Sequence, residues 1–99
     1  MPPVLNFRRT LAEVGVPVYC LPGNHDSPAL MAELLDRAGF AYCGRADLGG
    51  WRLVLVDSHV DREPSGVVRA EELRRLDADL RAAAGRPALV CVHHPPVLL

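Results

Sequence analysis

Val16-Pro17-Val18-Tyr19-Cys20-Leu21-Pro22-Gly23-Asn24-His25-Asp26 decides how the chain is read. The run from Val16 to Leu21 is apolar, with β-branched and aromatic residues that suit a strand. Pro22-Gly23 ends it, since proline offers no N–H to a ladder and glycine tolerates a turn. A carboxamide, an imidazole and a carboxylate then stand side by side. Immediately after them, Ser27 suits a helix N-cap and Pro28 the first helical position. Leu30, Met31, Leu34, Leu35 and Ala38 continue at helical spacing, and Gly39 stops the pattern. A strand, a polar turn and a capped helix in this order form an α/β unit.

The flanking chain extends this pattern. Residues 5 to 14 carry Leu5, Arg8, Leu11 and Val14 at helical spacing before Gly15. Downstream, Phe40 to Cys43 and Trp51 to Val56 read as strands of a hairpin, with Asp47-Leu48-Gly49-Gly50 in the turn between them. Residues 57 to 66 are polar and read as a surface loop. Leu73, Leu76, Leu80 and Ala83 give an amphipathic helix over 70 to 84, with Arg and acidic residues on its solvent face and Gly85-Arg86-Pro87 as its stop. Ala88 to Val92 is a last strand without polar alternation, the mark of a strand covered on both faces. The expectation is an α/β sandwich of one domain over residues 1–99.

Composition narrows the function. At 49% hydrophobic and 23% charged the chain has the makings of a core, which excludes a disordered segment. A formal net charge of −1 argues against nucleic acid or an anionic membrane as partner, because phosphate-backbone binding needs clustered basic charge. No run approaches the ~20 apolar residues of a membrane span, and Met1-Pro2-Pro3 does not open a signal peptide. Cys20, Cys43 and Cys91 match no zinc spacing and read as reduced thiols of a cytoplasmic protein.

Ligands in covered sheets gather beyond the carboxyl ends of strands, where Asn24 and His93 fall. Asn24 offers a neutral oxygen that adds a metal bond without adding charge. His25 has the chemistry to donate to a phosphate oxygen or protonate a leaving group. Asp26 would orient that imidazole or cap the following helix. His93-His94-Pro95-Pro96 leaves the last strand, and alternation allows one of the two His to face the site, with His93 the first choice and His94 in support. Asp57 and His59, at another strand end, have the chemistry to support a site, but the expectation is a solvated loop. Read blandly, both motifs are a turn and a His pair on loops, built from residues that favour such places.

Pro22-Gly23-Asn24-His25-Asp26 followed by a strand into His93-His94-Pro95-Pro96 resembles the calcineurin-like metallophosphoesterase superfamily. The run from Gly15 to Asp26, and Leu55-Val56-Asp57-Ser58 before a Gly66 loop and an amphipathic helix, are closest to the bacterial class III 3′,5′-cyclic nucleotide phosphodiesterases. The resemblance covers about residues 7 to 97. It implies two divalent ions (iron, manganese or zinc), Asn24 and His93 as metal ligands, and His25 at the phosphate. It also implies an Asp-x-His strand and a Gly-Asp strand before this segment and Gly-His-x-His after it. The chain is thereby expected to be the central part of a metallophosphoesterase αββα sandwich, lacking the first strands and the C-terminal metal-binding segment. Alone it is expected to bind a single metal weakly at most, with sheet edges open to self-association. The implied substrate is a small phosphodiester, with cyclic AMP among the candidates. Two other readings stay open: a non-catalytic fragment or binding module, and a mononuclear zinc hydrolase using His25, His93 and His94.

Overall fold

A computed structural model describes residues 3–24, 26–36 and 39–95. Its elements run α1 (Pro3–Ala12), β1 (Val18–Cys20), α2 (Pro28–Leu35), β2 (Phe40–Tyr42), β3 (Gly44–Leu48), β4 (Trp51–Val56), α3 (Ala70–Arg81) and β5 (Ala88–Val92). This is a mixed α/β arrangement with two sheets, one ordered β1-β2 and the other β3-β4-β5.

The first sheet grows out of the opening motif. Ser27 caps α2 by accepting from the Leu30 N–H, with Pro28 at the helix start. The proline lacks the N–H that a first turn leaves without a partner, so it costs nothing there. Met31 and Leu35, one turn apart, are buried with Cys20, and Val18, Phe40 and Tyr42 pack around them. α2 thereby carries the chain from β1 to a parallel partner, β2, in the register Val18↔Phe40 and Cys20↔Tyr42. Where α2 was expected to close, at Ala38, lies outside the described residues.

The expected hairpin is corrected. Phe40–Tyr42 does not pair with Trp51–Val56; that partner is Gly44–Leu48, antiparallel, with Leu48 opposite Trp51. Cys43 and Gly44 both take left-handed backbone, φ 52° and 83°, and two such residues in succession break the strand and send the chain to the other sheet. Gly49 and Gly50, at φ 55° and 86°, form the two-residue connection. Both central residues at positive φ match the twist of the flanking strands, and glycine reaches that region without a Cβ penalty.

β4 and β5 pair in parallel, Arg52↔Ala88 through Val56↔Val92, with α3 in the crossover. Here a second expectation fails. The apolar stripe of α3 is covered only in part: Ala83 is buried and Leu76 half-buried, but Leu73 is 52% exposed and Leu80 is also exposed, while Asp79 is buried. The cause is Arg52, in the middle of an apolar strand and only 4% exposed. Its guanidinium forks onto Asp47 at 2.9 and 3.1 Å and donates to the Asp79 carbonyl at 2.9 Å. Arg75 from α3 adds bonds to Glu72, Asp79 and the Leu55 carbonyl. A buried cation without acceptors costs several kcal/mol; leaving two leucines partly wet costs ~1 kcal/mol each at most. The charged face of α3 therefore wins the inward position. β5 likewise is not covered on both faces, since Leu89 and Val90 are exposed.

The three cysteines are free, Cys20 buried and Cys43 and Cys91 partly so. Burial pushes the Cys43 thiol up to about 11. No described helix is long and apolar enough to cross a membrane.

Candidate metal-binding half-site

β1 and β5 deliver their exits to one place. After β1, Pro22 is fully buried and the turn closes on itself: the Gly23 N–H donates to Asp26 Oδ2 at 2.6 Å, and the Asp26 N–H to the Gly23 carbonyl at 3.3 Å. Asp26 is thus engaged in holding the turn, and the helix cap belongs to Ser27. A Cβ on Gly23 would lie 3.2 Å from Asp26 Oδ2 and 3.3 Å from the His93 ring, closer than most side chains tolerate. Glycine here lets His93 reach the turn. His25 and Pro96 lie outside the described residues.

After β5 the two histidines diverge, as alternation along an extended chain requires. His93 brings Nε2 to 3.2 Å from Asn24 Oδ1, joining residues 69 positions apart. His94 turns the other way: Nδ1 meets Ser58 Oγ at 2.7 Å and Nε2 meets the Pro64 carbonyl at 3.0 Å. A carbonyl only accepts, so Nε2 carries the proton and Nδ1 accepts from the Ser58 hydroxyl. With both nitrogens engaged, His94 is a wall of the site, its ring at 89° to that of His93 with centroids 5.0 Å apart.

Sequence reasoning missed Ser58 and His59. Read as part of a solvated loop, they are 1% and 6% exposed. His59 Nδ1 lies 2.9 Å from the Gly23 carbonyl and Nε2 lies 3.0 Å from Asp61 Oδ1. Both partners accept, so both contacts are satisfied together in the protonated ring. The Gly23 carbonyl, against the opposing cost of burial and with help from Asp61, holds the pKa of His59 above its ordinary value. The available signal was position: Val56-Asp57-Ser58-His59 ends a strand parallel to β5, so its exit reaches the same end of the sheet.

Asp57-Ser58-His59 also has the Asp-x-His spacing that the resemblance assigns to an earlier strand. It serves another purpose here. Asp57 Oδ1 accepts from the His59 N–H at 2.8 Å, and the His59 ring is spent on Gly23 and Asp61.

Asn24 Oδ1 and His93 Nε2 have the chemistry and the separation of adjacent ligands to one ion. Two donors ~2.1 Å from a metal at a right angle stand ~3 Å apart. Asn24 Oδ1 only accepts, so in this contact His93 donates from Nε2, and it would ligate through that atom with the proton on Nδ1 instead. Among the described residues no group of three His, Cys, Asp or Glu is placed to hold a metal, so these two donors make up part of a shell and not a whole one.

An α/β segment that gathers an Asn and a His at the ends of two strands from different sheets has the form of a partial metallophosphoesterase domain. No family model matches the chain. Whole-sequence relatives do. It is 34% identical over 93 residues to a probable cyclic nucleotide phosphodiesterase of a Synechococcus strain, covering 94% of this chain and 36% of the relative. To a 3′,5′-cyclic-nucleotide phosphodiesterase of Nostoc it is 30% identical, over 93% of this chain and 35% of the relative. To the 3′,5′-cyclic adenosine monophosphate phosphodiesterase CpdA of Escherichia coli K12 it is 33% identical, over 93% and 34%. By sequence the chain is similar to one part of proteins named as cyclic nucleotide phosphodiesterases. It spans about a third of the length of these curated relatives.

Proposed function

We propose that this chain contributes one half of the metal centre of a divalent-metal-dependent phosphodiesterase acting on 3′,5′-cyclic nucleotides. The observation that carries the reading is the 3.2 Å approach of Asn24 Oδ1 to His93 Nε2. Relatives named as cyclic nucleotide phosphodiesterases support the substrate class, cyclic AMP included. Divalent ions, when bound, supply an activated water and charge to offset the phosphodiester.

The chain's own residues do the rest. Asn24 contributes an oxygen without charge, and His93 an imidazole nitrogen once its proton sits on Nδ1. Asp26 keeps the turn closed. His25 donates to a phosphate oxygen, or gives its proton to the ribose oxygen that leaves as the ring P–O bond breaks. Two ions bring four positive charges, and Asn24 and His93 offset none of them. Neither Gly-Asp nor Gly-His-x-His occurs in residues 1–99. The carboxylates that hold a pair of ions of iron, manganese or zinc therefore come from other parts of the protein. This segment alone binds one ion weakly.

A second reading, a binding module without catalysis, is favoured by the lack of a three-ligand group among the described residues. One series of measurements separates the two. Calorimetry of this chain with Mn²⁺ gives at most one weak site, and the chain does not hydrolyse bis(p-nitrophenyl) phosphate. Joined to flanking segments that bring it to the length of its relatives, it hydrolyses cyclic AMP. There Asn24→Ala and His93→Ala each lower metal content and turnover together, by roughly 100-fold. Full turnover in both variants removes Asn24 and His93 from the mechanism; no turnover in the extended protein leaves the binding module.

A further inference from the structure

Among the described residues the two arms of the half-site meet at His93, which packs against Gly23 and reaches Asn24. A third strand end, the Ser58-His59 pair after β4, also relates the β1 turn to the β5 exit. Its two side chains reach in opposite directions, as neighbours in extended chain do. Ser58 Oγ takes hold of His94 at 2.7 Å, and His59 Nδ1 takes hold of the Gly23 carbonyl at 2.9 Å. Each thus binds the residue next to a proposed ligand, His94 beside His93 and Gly23 beside Asn24.

The pair is itself fixed from behind. The Asp57 carboxylate accepts from the His59 N–H and the Arg69 guanidinium donates to the His59 carbonyl at 3.1 Å. The Val67 N–H donates to the Ser58 carbonyl at 3.0 Å, and the Asp57 N–H donates to Glu72 of α3 at 2.9 Å. Gly66 completes the cradle: a Cβ there would overlap the His94 ring and the Ser58 carbonyl. Such a bracket is rigid because both of its side chains are buried and every polar group named has a partner.

We infer that Ser58 and His59 are positioning residues that clamp the β1 turn to the β5 exit and so set the Asn24–His93 separation. The inference rests on the reading of those two residues as ligands. Neither Ser58 nor His59 touches the ion or the substrate; each acts through the backbone or ring of a neighbour. Because the link from His59 runs through Nδ1, the side chain that replaces it best is the one with an N–H at that place. The amide nitrogen of Asn sits two bonds from Cβ, as Nδ1 does, whereas that of Gln lies one bond further out.

The test compares His59→Asn, His59→Gln, His59→Leu and Ser58→Ala in this chain, labelled with ¹⁵N. The free protein is read first, through the Asn24 side-chain amide and the His93 ring nitrogens. His59→Leu and His59→Gln shift both sets of signals; His59→Asn leaves them near the wild-type positions. Zn²⁺ alone is then titrated against the same signals. Loss of such a support weakens metal affinity by ~10–100-fold, so His59→Leu and Ser58→Ala fall by at least tenfold while His59→Asn stays within about threefold. Where His59→Leu fails to fold, the Asn and Gln variants carry the comparison. Unchanged Asn24 and His93 signals in both His59→Leu and His59→Gln overturn the clamp, as does equal weakening by Asn and Gln. If the wild-type chain binds no Zn²⁺ at these residues, the ligand reading fails instead, and the clamp stands or falls on the signals of the free protein.

Discussion

The half of the chain from α1 to β2 and the half from β3 to β5 hold together by different means. In the first, Cys20, Met31 and Leu35 exclude water with Val18, Phe40 and Tyr42 around them. In the second, Val54, Leu55, Val56 and Ala83 are buried as well, but the helix is tied to its sheet by bonds among Arg52, Arg75, Asp47, Glu72 and Asp79, and Leu73 and Leu80 stay exposed. The candidate site draws one residue from each half, Asn24 from the first and His93 from the second. Its two sides therefore answer to different perturbations: the Asn24 side to packing, the His93 side to charge.

The largest expected effect breaks the packed half. Leu35→Ala removes a side chain 1% exposed and lowers stability by about 3 kcal/mol in urea denaturation. The same change at Leu73, half in water, costs less than ~1 kcal/mol. An equal loss at the two positions would mean that α3 buries its leucine stripe after all.

Next comes the charged half. Arg75→Met removes three sets of bonds, to Glu72, Asp79 and the Leu55 carbonyl, and costs about 2 kcal/mol. Hydrogen exchange quickens in α3 and β4 and not in α2. Acid gives a smaller effect of the same origin. The Arg75 guanidinium holds the Glu72 carboxyl below its ordinary value. A carboxyl depressed by folding stabilises above its unfolded pKa, ~4.3, and that stability is lost as pH falls through the lower, folded value. Urea midpoints followed from pH 6 down to pH 3 should drop less steeply in Arg75→Met than in the wild type.

The smallest effect has the opposite sign. The buried Tyr42 hydroxyl has no oxygen or nitrogen partner among the described residues, only the weak Cys43 thiol beside it, and burial raises its pKa. Tyr42→Phe removes the orphaned group and raises the urea midpoint, by ~1 kcal/mol in stability. A loss instead would place a partner on that oxygen.

The sequence was legible where local chemistry decides. Ser27-Pro28 marks the start of α2 by capping rules, and the apolar run of β5 falls where it reads. Gly44–Leu48 was not legible as a strand, because Gly, Arg, Ala and Asp have no β preference of their own. It is a strand because the Gly49-Gly50 turn folds it onto β4. Nor was the face of α3 legible, since the need for acceptors arises at Arg52, on another element. At the site, Asn24 and His93 could be read as strand-end residues. Ser58 and His59 were legible only as a strand end, because their partners are each 36 residues away.

The separation of 69 positions from Asn24 to His93 has a kinetic meaning. The β3–β4 hairpin closes over two residues, an event of ~1–10 μs, and the parallel pairs follow through longer crossovers. Contact between Asn24 and His93 closes the widest of these loops, at an entropic cost that grows with loop length. Whatever ion or substrate bridges Asn24 and His93 therefore acts as a reversible cross-link at the mouth of that loop. At a hundredfold excess over its Kd it would add about 2.7 kcal/mol to the stability of the whole chain.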